Sequence, residues 1–285
     1  MDVGIGLPST IPGAGRDQVL EWARRAEARG FSTLGTIDRI VYPSHEPLIA
    51  LAAAAAVTEQ IRLATAILLA PVRANGALLA KQGATLAVVS GGRLVLGVAV
   101  GRREDDFEAC GAEFHARGRI LDEMLELWAR IWDGEAFGTA GGIGPPPADG
   151  RSAVLLGGWA SAAFTRAARH GDGWTGGNCT LEEFADGTAR LRAAWDAAAR
   201  KGTPRTVVQP YYALGSGAEQ AVESCLRDYY GPGDYTDEIV ARAATDAETV
   251  RENARAFAEA GCDELIFFPC DPDPDQVDLL ADALQ

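Results

Sequence analysis

The 285-residue sequence predicts a single α/β domain in which eight parallel strands alternate with helices and close into a barrel. Short apolar runs recur along the chain, and each is followed by a longer segment with helical spacing of its apolar residues. The main alternative, an open doubly wound sheet, requires a Gly-x-Gly-x-x-Gly turn after the first strand, and none is present. These observations favour a (β/α)8 TIM barrel over residues 1–285.

The predicted strands are the apolar runs rich in Val, Ile, Leu and Phe. They are nearly continuous rather than alternating, which is typical of parallel strands buried on both faces. The strands are predicted at 3–7, 31–37, 61–69, 93–100, 154–156, 171–174, 206–214 and 264–268.

Glycine marks the ends of several predicted helices. Gly30 caps the first helix, and Ser90-Gly91-Gly92 closes the third. A low-complexity loop with three consecutive prolines covers 138–150, but the alternation resumes unchanged after it, so we place no domain boundary there. The helices are predicted at 17–29, 47–59, 77–88, 116–133, 160–169, 181–200 and 274–284.

The segment between the seventh and eighth strands is longer than one helix requires. Residues 231–235 would divide it into a helix, a loop and a second helix that ends at Ala260-Gly261. Such an insertion near the C-terminal end of a strand often becomes the lid or wall of a site. We therefore expect residues 215–243 to shape the pocket.

The composition excludes several classes of protein. A hydrophobic fraction of 47% rules out disorder, and no charge-free apolar run is long enough to span a membrane. The net charge of −14 makes nucleic acids and anionic membranes poor partners. Five cysteines without Cys-x-x-Cys spacing and three scattered histidines argue against a disulfide framework and a metal site. The first residues lack a signal-peptide pattern, so we expect a reduced, cytoplasmic protein.

In a barrel of this type the chemistry lies at the C-terminal ends of the strands. After the fifth predicted strand, Gly157, Gly158 and Ser161 form a Gly-Gly-x-x-Ser unit that opens a helix. The glycines would let a phosphate approach the backbone, and the free N–H groups of the helix start would bind it. The alternative interpretation is a simple strand-to-helix turn that Ser161 caps.

Other strand ends have simpler interpretations beside the functional ones. Asp172-Gly173-Trp174 is compatible with a tight turn and a core indole, and Asp38 beside Arg39 with a solvated ion pair. The run 102–106 reads as a solvated helix start. The sequence has no Gly-x-Ser-x-Gly elbow, which argues against a serine hydrolase. An apolar mouth with few titratable groups favours a bound cofactor that carries the chemistry.

Several motifs together resemble the bacterial-luciferase-like family of flavin- and deazaflavin-dependent oxidoreductases. The resemblance covers nearly the whole chain, and its strength lies in the combination and order of the motifs. They are RLATAILLAP at 62–71, AKQGATL at 80–86, SGGRLVLGV at 90–98, GDGW at 171–174 and AGCDEL at 260–265.

The resemblance implies a TIM barrel, usually dimeric, that binds FMN or coenzyme F-420 (F420) at its C-terminal mouth. It implies a non-prolyl cis peptide at Ala66-Ile67, against which the isoalloxazine ring lies. Ala99 and Gly101 match positions near the ring, and Arg117 matches a phosphate contact. The full set of predicted cofactor-binding residues is Ala66, Ile67, Ala99, Gly101, Arg117, Gly157, Gly158, Trp159, Ser161, Asp172, Gly173 and Trp174.

The chain departs from the family pattern at two positions. Many members carry an acid–His pair after the second strand, whereas this chain has Asp38-Arg39. Arg cannot exchange a proton near neutral pH, so a His-dependent mechanism would need His45 or Tyr42 as a substitute. Arg39 would otherwise hold an anionic substrate or the electron-rich edge of the flavin. Ala99 stands where glycine is common, which narrows the space beside the ring.

The leading interpretation is an FMN-dependent monooxygenase in which Asp38, Arg39 and His45 are the candidate catalytic residues. It would act on a small organic substrate with O2 and with reduced flavin from a separate reductase, because the sequence contains no nicotinamide fingerprint. The alternative is a coenzyme F-420-dependent dehydrogenase or reductase that transfers a hydride. A third interpretation, motivated by the Asp38-Arg39 replacement, is a non-catalytic flavin-binding protein.

Overall fold

The computed structural model describes residues 1–73, 75–146 and 152–285. Its strands are β1 (Asp2–Gly6), β2 (Thr33–Thr36), β3 (Arg62–Leu69), β4 (Leu94–Ala99), β5 (Ala153–Gly157), β6 (Gly173–Thr175), β7 (Arg205–Val208), β8 (Tyr211–Tyr212) and β9 (Glu264–Pro269). Strands β1 to β7 pair in order, β7 pairs with β9, and β9 pairs with β1, all in parallel. The predicted closed eight-stranded parallel barrel is therefore confirmed.

Helices cover the outside of the barrel and form the segment before β9. Their bounds are α1 (Arg16–Ala28), α2 (Pro47–Ala55), α3 (Gly76–Val89), α4 (Glu104–Cys110), α5 (Arg117–Trp132), α6 (Ser161–His170), α7 (Leu181–Ala197), α8 (Ala218–Tyr230), α9 (Asp234–Arg242), α10 (Ala247–Glu259) and α11 (Asp275–Ala283). None of the described helices combines the length and the apolar character needed to cross a membrane. Of the predicted loop 138–150, the last four residues lie outside the described part of the chain.

The prediction of one seventh strand over 206–214 is wrong. The segment forms β7 and β8, which Gln209 and Pro210 separate, and both strands pair with β9. Proline has no N–H group to contribute to a ladder, which explains the interruption. The Pro210 carbonyl still accepts the N–H of Phe268 at 2.8 Å, so the chain stays beside β9 across the break.

The insertion before β9 contains three helices rather than the predicted two. The expected second helix is divided into α9 and α10 at residues 243–246. There the N–H of Ala244 donates to the Tyr211 carbonyl at 2.9 Å, and the Ala244 carbonyl accepts the N–H of Ala213 at 3.0 Å. Asp246 then caps α10 by accepting the N–H of Thr249. The backbone of Ala244 is thus hydrogen-bonded to the barrel rim, and these bonds replace the ones it would make in a continuous helix.

A buried carboxylate lies at the N-terminal end of the barrel. Glu264 opens β9 and accepts the hydroxyls of Ser32 at 2.6 Å and Thr33 at 2.5 Å. Arg62 and Arg205 donate to the same carboxylate at 3.0 and 2.9 Å. Burial raises the pKa of Glu264, but these donors and cations outweigh it and hold the pKa below its ordinary value. The group therefore ties together the starts of four strands, at the end opposite the site described next.

Candidate active site

A cavity of about 540 Å³ opens at the C-terminal ends of the strands. The predicted site residues that line it are Asp38, Ala66, Ile67, Ala99, Gly101, Gly157, Gly158 and Trp159. The predicted residues outside its lining are Arg39, His45, Arg117, Ser161, Asp172, Gly173 and Trp174. The cavity therefore lies at the end of the barrel where the site is predicted, and it brings together residues from β3, β4 and β5.

One wall of the cavity is made by small or flat groups on β3, β4 and β5. The Ala66–Ile67 peptide is cis, as the resemblance implies, and the β3–β4 register shifts between Thr65 and Leu68. A Cβ added at Gly157 would lie 3.0 Å from Ile67 Cδ1 and 3.3 Å from the Ala99 Cβ. A side chain at 157 would press against both groups, so glycine keeps this surface shallow. We call the surface the floor (Ala66, Ile67, Ala99 and Gly157).

The start of α6 forms the rim beside the floor. Gly158 has φ of +121°, a backbone conformation that glycine adopts readily. The indole of Trp174 donates to the Gly158 carbonyl at 2.9 Å and so fixes this turn from behind. Ala160 is the N-cap and no side chain caps the helix, so the interpretation of Ser161 as the cap is wrong. Ser161 is the exposed first residue of α6, and the helix start keeps N–H groups for a ligand.

Two further residues with donors line the cavity, and one of them, Arg242, also lies 3.9 Å from the Glu183 carboxylate through its Nη1. Asn178 follows β6, the neighbour of β5, and Arg242 ends α9. Both residues line the cavity, and Asn178 Nδ2 and Arg242 Nε are buried without a hydrogen-bond partner among the described residues. Buried donors without partners are costly, so they favour an acceptor-rich ligand group at this place. An anionic phosphate is such a group.

Asp38 does not form the solvated ion pair with Arg39 that the simpler interpretation predicts. Its side chain is 1% exposed, and its Oδ2 accepts the N–H of Leu69 at 2.8 Å and Arg73 Nη1 at 2.6 Å. Arg73 also pairs with Glu46 at 2.9 Å. Asp38 therefore organises the loop after β3 while its Oδ1 remains buried without a partner among the described residues.

Arg39 lies outside the cavity lining and contacts the insertion. Its guanidinium lies 4.8 Å from the ring centroid of Tyr42 and 5.3 Å from that of Tyr229, and it donates to the Tyr229 carbonyl. The Tyr42 hydroxyl donates to Asp228, and burial followed by this carboxylate raises the Tyr42 pKa. His45 is exposed, with Nδ1 3.3 Å from the Ser9 carbonyl. Neither proposed substitute for the missing histidine reaches the cavity lining.

The interpretation of 102–106 as a solvated helix start is wrong for its last residue. Asp106 is fully buried and lines the cavity. Its Oδ1 accepts the N–H groups of Ile40 and Val41 at 3.0 and 2.8 Å. Sequence reasoning missed this residue because an acid at a helix start usually interacts with its own helix end, and nothing local indicates a partner 65 positions earlier.

The GDGW segment at 171–174 lies behind the site. Its last two residues open β6 rather than forming a tight turn, and Trp174 is a core indole, as the simpler interpretation predicts. Asp172 accepts the N–H of Val154 at 2.8 Å. A Cβ at Gly173 would lie 2.0 Å from the Arg205 carbonyl oxygen, so the close approach of β6 and β7 requires glycine.

The guanidinium of Arg117, the predicted phosphate contact, stacks on the Phe114 ring at 3.8 Å from its centroid.

The insertion forms the wall opposite the floor, as predicted. Tyr229 and Tyr230 end α8, and Tyr235 lies on α9; all three line the cavity. Arg103 donates to the Tyr229 carbonyl at 3.1 Å, and Arg102 lies 4.4 Å from the Tyr235 ring centroid. The wall is predicted from the length of the insertion, whereas its tyrosines are not. The only local signal is their clustering around the Gly231-Pro232-Gly233 turn.

Sequence relatives include proteins of known and unknown activity. An uncharacterised protein of Mycobacterium bovis is 31% identical over 199 residues, which cover 60% of this chain and 68% of the relative. The F420-dependent glucose-6-phosphate dehydrogenase of Kribbella flavida is 29% identical over 154 residues, which cover 51% of this chain and 46% of the relative.

Solved structures with the same fold include a monooxygenase and an F420-dependent dehydrogenase. The crystal structure of monooxygenase RslO1 from Streptomyces bottropensis matches with a TM-score of 0.80 and 23% identity, covering 100% of this chain and 98% of that one. An F420-dependent secondary alcohol dehydrogenase matches with a TM-score of 0.83 and 17% identity, covering 100% and 99%. These likenesses establish the fold. Residues 1–266 match the luciferase-like monooxygenase family, and the chain therefore belongs to this family of oxidoreductases.

Proposed function

We propose that the protein is a monooxygenase that uses reduced FMN and O2 to oxidise a small organic substrate. The observation that carries this choice is the absence of any histidine from the described residues that line the cavity. Hydride transfer to or from an alcohol needs a group that exchanges the hydroxyl proton, and histidine is the usual one. Asp38 binds Arg73 through Oδ2, which leaves only its Oδ1 for this task.

The described residues fit a flavin. The floor offers a flat surface for a ring system, and a side chain at 157 would fill that space. The start of α6, Asn178 and Arg242 offer donors for a phosphate. Reduced FMN, when bound, would supply the electrons that activate O2. The chain's own part is to bind and orient the ring, to place a substrate beside it and to keep water out.

Water exclusion depends on the insertion wall. Tyr229 is buried and Tyr230 is half-buried, although they belong to a segment outside the barrel. Arg39 and Arg103 hold the end of α8 over the cavity through the Tyr229 carbonyl. A wall that limits the access of water would protect oxygen-reactive species, which supports the proposed reaction.

Parallel titrations with FMN and with coenzyme F-420, in oxidised and reduced forms and followed by fluorescence, test the cofactor. We expect FMN to bind at least about tenfold more tightly than F-420, a difference of about 1.4 kcal/mol. The double variant Gly158→Val/Ser161→Ala should lose more than about tenfold in FMN affinity, because valine is strained at φ of +121°. Preferential binding of F-420 would refute the FMN assignment.

Coenzyme F-420-dependent hydride transfer is the second candidate. The Kribbella flavida relative supports it, and so does Arg102, which lines the cavity and has no carboxylate partner among the described residues. An exposed, unpaired guanidinium at the mouth would suit the anionic tail of F-420. Tight binding of FMN without substrate oxygenation, whatever reductant is supplied, would favour the third candidate, a flavin-binding protein without turnover.

We also propose a homodimer supplied by a separate flavin reductase in the cytoplasm. The adjacent helices α2 and α3 expose Ile49 by 71%, Leu78 by 53% and Val89 by 62%, and exposed apolar side chains on adjacent helices favour a protein interface. All five cysteines are free thiols, which suits a reducing compartment.

A further inference from the structure

Two tyrosine hydroxyls face each other across the insertion side of the cavity. Tyr211 lies on β8 and Tyr230 is the last residue of α8, and both line the cavity. Their hydroxyl oxygens are 2.7 Å apart, and their rings meet edge to face with centroids 6.2 Å apart. Two distant segments of the chain therefore place a pair of phenols at one point of the cavity.

Only one of the two hydroxyl protons takes part in the hydrogen bond between the tyrosines. When one hydroxyl donates to another, the accepting hydroxyl keeps its own proton, which is free for a further acceptor. No second partner for either hydroxyl occurs among the described residues. Burial, the largest cause, raises the pKa of both phenols above the ordinary value, so both are protonated at neutral pH. The pair is thus a hydrogen-bond donor that lacks an acceptor.

The pair lies across the barrel mouth from the β4 part of the floor. In the closed strand order, β4 and β9 are four strands apart in either direction, so they lie on opposite sides. Tyr211 belongs to β8, which pairs with β9, whereas Ala99 of the floor ends β4. A molecule between the floor and the pair would contact a ring on one side and a phenolic hydroxyl on the other.

The surroundings of Tyr211 are apolar. Tyr211 packs in a buried cluster with Ala66 and Phe268, and Ile37 and Tyr230 pack against the cluster. The Tyr211 and Phe268 ring centroids are 6.4 Å apart. On the Tyr230 side, the guanidinium carbons of Arg102 and Arg103 each lie 5.8 Å from the ring centroid. An ionised group placed beside Tyr211, inside the apolar cluster, would lose its hydration, which is costly. A neutral oxygen that accepts one hydrogen bond has no such penalty.

We propose that the Tyr211–Tyr230 pair is the substrate-oxygen site, and that it selects a small, uncharged, largely apolar molecule with a carbonyl or hydroxyl oxygen. The assignment deepens the proposed function, since it names the substrate class for the same cavity. The tyrosines act as positioning residues: they hold the oxygen of the substrate and thereby orient its carbon skeleton towards the floor.

Three matched probes test the site by isothermal titration calorimetry with and without FMN: acetophenone, ethylbenzene and benzoate. We expect acetophenone to bind about tenfold more tightly than ethylbenzene, which lacks the oxygen, and more tightly than the anionic benzoate. The preference should disappear in Tyr211→Phe/Tyr230→Phe, because either hydroxyl alone still donates. It should persist in Tyr212→Phe, whose hydroxyl donates to the Gln276 carbonyl outside the cavity.

Equal binding of acetophenone and ethylbenzene by the unaltered protein would overturn the proposal, and this comparison needs no variant to fold. Tighter binding of benzoate, or a preference that survives in the folded double variant, would also overturn it. Failure to bind either cofactor while the acetophenone preference remains would refute the proposed function alone. Tight FMN binding without that preference would refute the tyrosine site alone.

Discussion

Replacing Glu264 with glutamine tests whether the buried carboxylate at the N-terminal end of the barrel stabilises the fold. The side chain is 4% exposed and accepts four donors, two of them guanidinium groups. The glutamine oxygen can replace one carboxylate oxygen. Its NH2 group would then face the donors that bind the other carboxylate oxygen in the unaltered protein. Losing the charge and a charge-assisted hydrogen bond at such a site costs about 3 kcal/mol.

The sign of the pH dependence follows from the lowered pKa. A carboxyl group whose pKa falls on folding stabilises the protein fully above its unfolded value, here 4.5, and this contribution is lost as the pH falls through the folded pKa. Urea unfolding of the unaltered protein and Glu264→Gln should therefore differ most at pH 7 and converge below pH 4.5. Cofactor affinity should be unchanged, because the cavity lies at the opposite end of the barrel.

Glu135→Gln is the matched control. Glu135 also pairs with an arginine, Arg130, and its pKa is also lowered, but the pair is fully exposed to solvent. We expect no measurable change in the free energy of unfolding, because water screens such pairs. Equal stability of Glu264→Gln and the unaltered protein at pH 7, or a difference that grows on acidification, would refute the reasoning.

Four further predictions concern the cavity and its surroundings. Gly157→Val should weaken FMN binding by more than about tenfold in a fluorescence titration, since its side chain would occupy the floor; unchanged affinity would remove the floor from the site. Arg39→Ala should reduce FMN-dependent oxygen consumption more than FMN affinity, and equal losses would make Arg39 a binding or structural residue. Tyr42→Phe removes the hydrogen bond to Asp228 and should speed amide hydrogen exchange in the last turn of α8, with exchange in α11 as the internal control. Ile49→Asp should convert a dimer into a monomer in light scattering, and a monomeric unaltered protein would contradict the proposed dimer.

Local sequence patterns were sufficient to predict the barrel and the end of it at which the cavity opens. Every strand pairing in a parallel barrel buries both faces, so apolar runs such as 61–69 are visible without knowledge of partners. The glycines at 157 and 158 were also predictable, because close approach of backbone to a ligand or a neighbour leaves only glycine as a candidate.

The remaining parts of the site depend on contacts between distant segments. Arg39 carries the same charge whether it lines the cavity or contacts the insertion. Only the fold reveals that its partner is the carbonyl of Tyr229, 190 residues later. Asp106 and the Tyr211–Tyr230 pair follow the same rule: their roles come from tertiary contacts that leave no local periodicity. Pro210 did carry a local signal, since a proline inside an apparent buried strand argues against an unbroken strand.

The Tyr229 carbonyl accepts hydrogen bonds from the guanidinium groups of two residues in barrel loops. Arg39 follows β2 and Arg103 follows β4. Withdrawing the end of α8 from the mouth breaks both contacts in the same movement. Entry of substrate, entry of cofactor and escape of product would then share one opening event, and its frequency would set an upper limit on turnover. Solvent viscosity and temperature would then change the rates of substrate entry, cofactor entry and product release by the same factor.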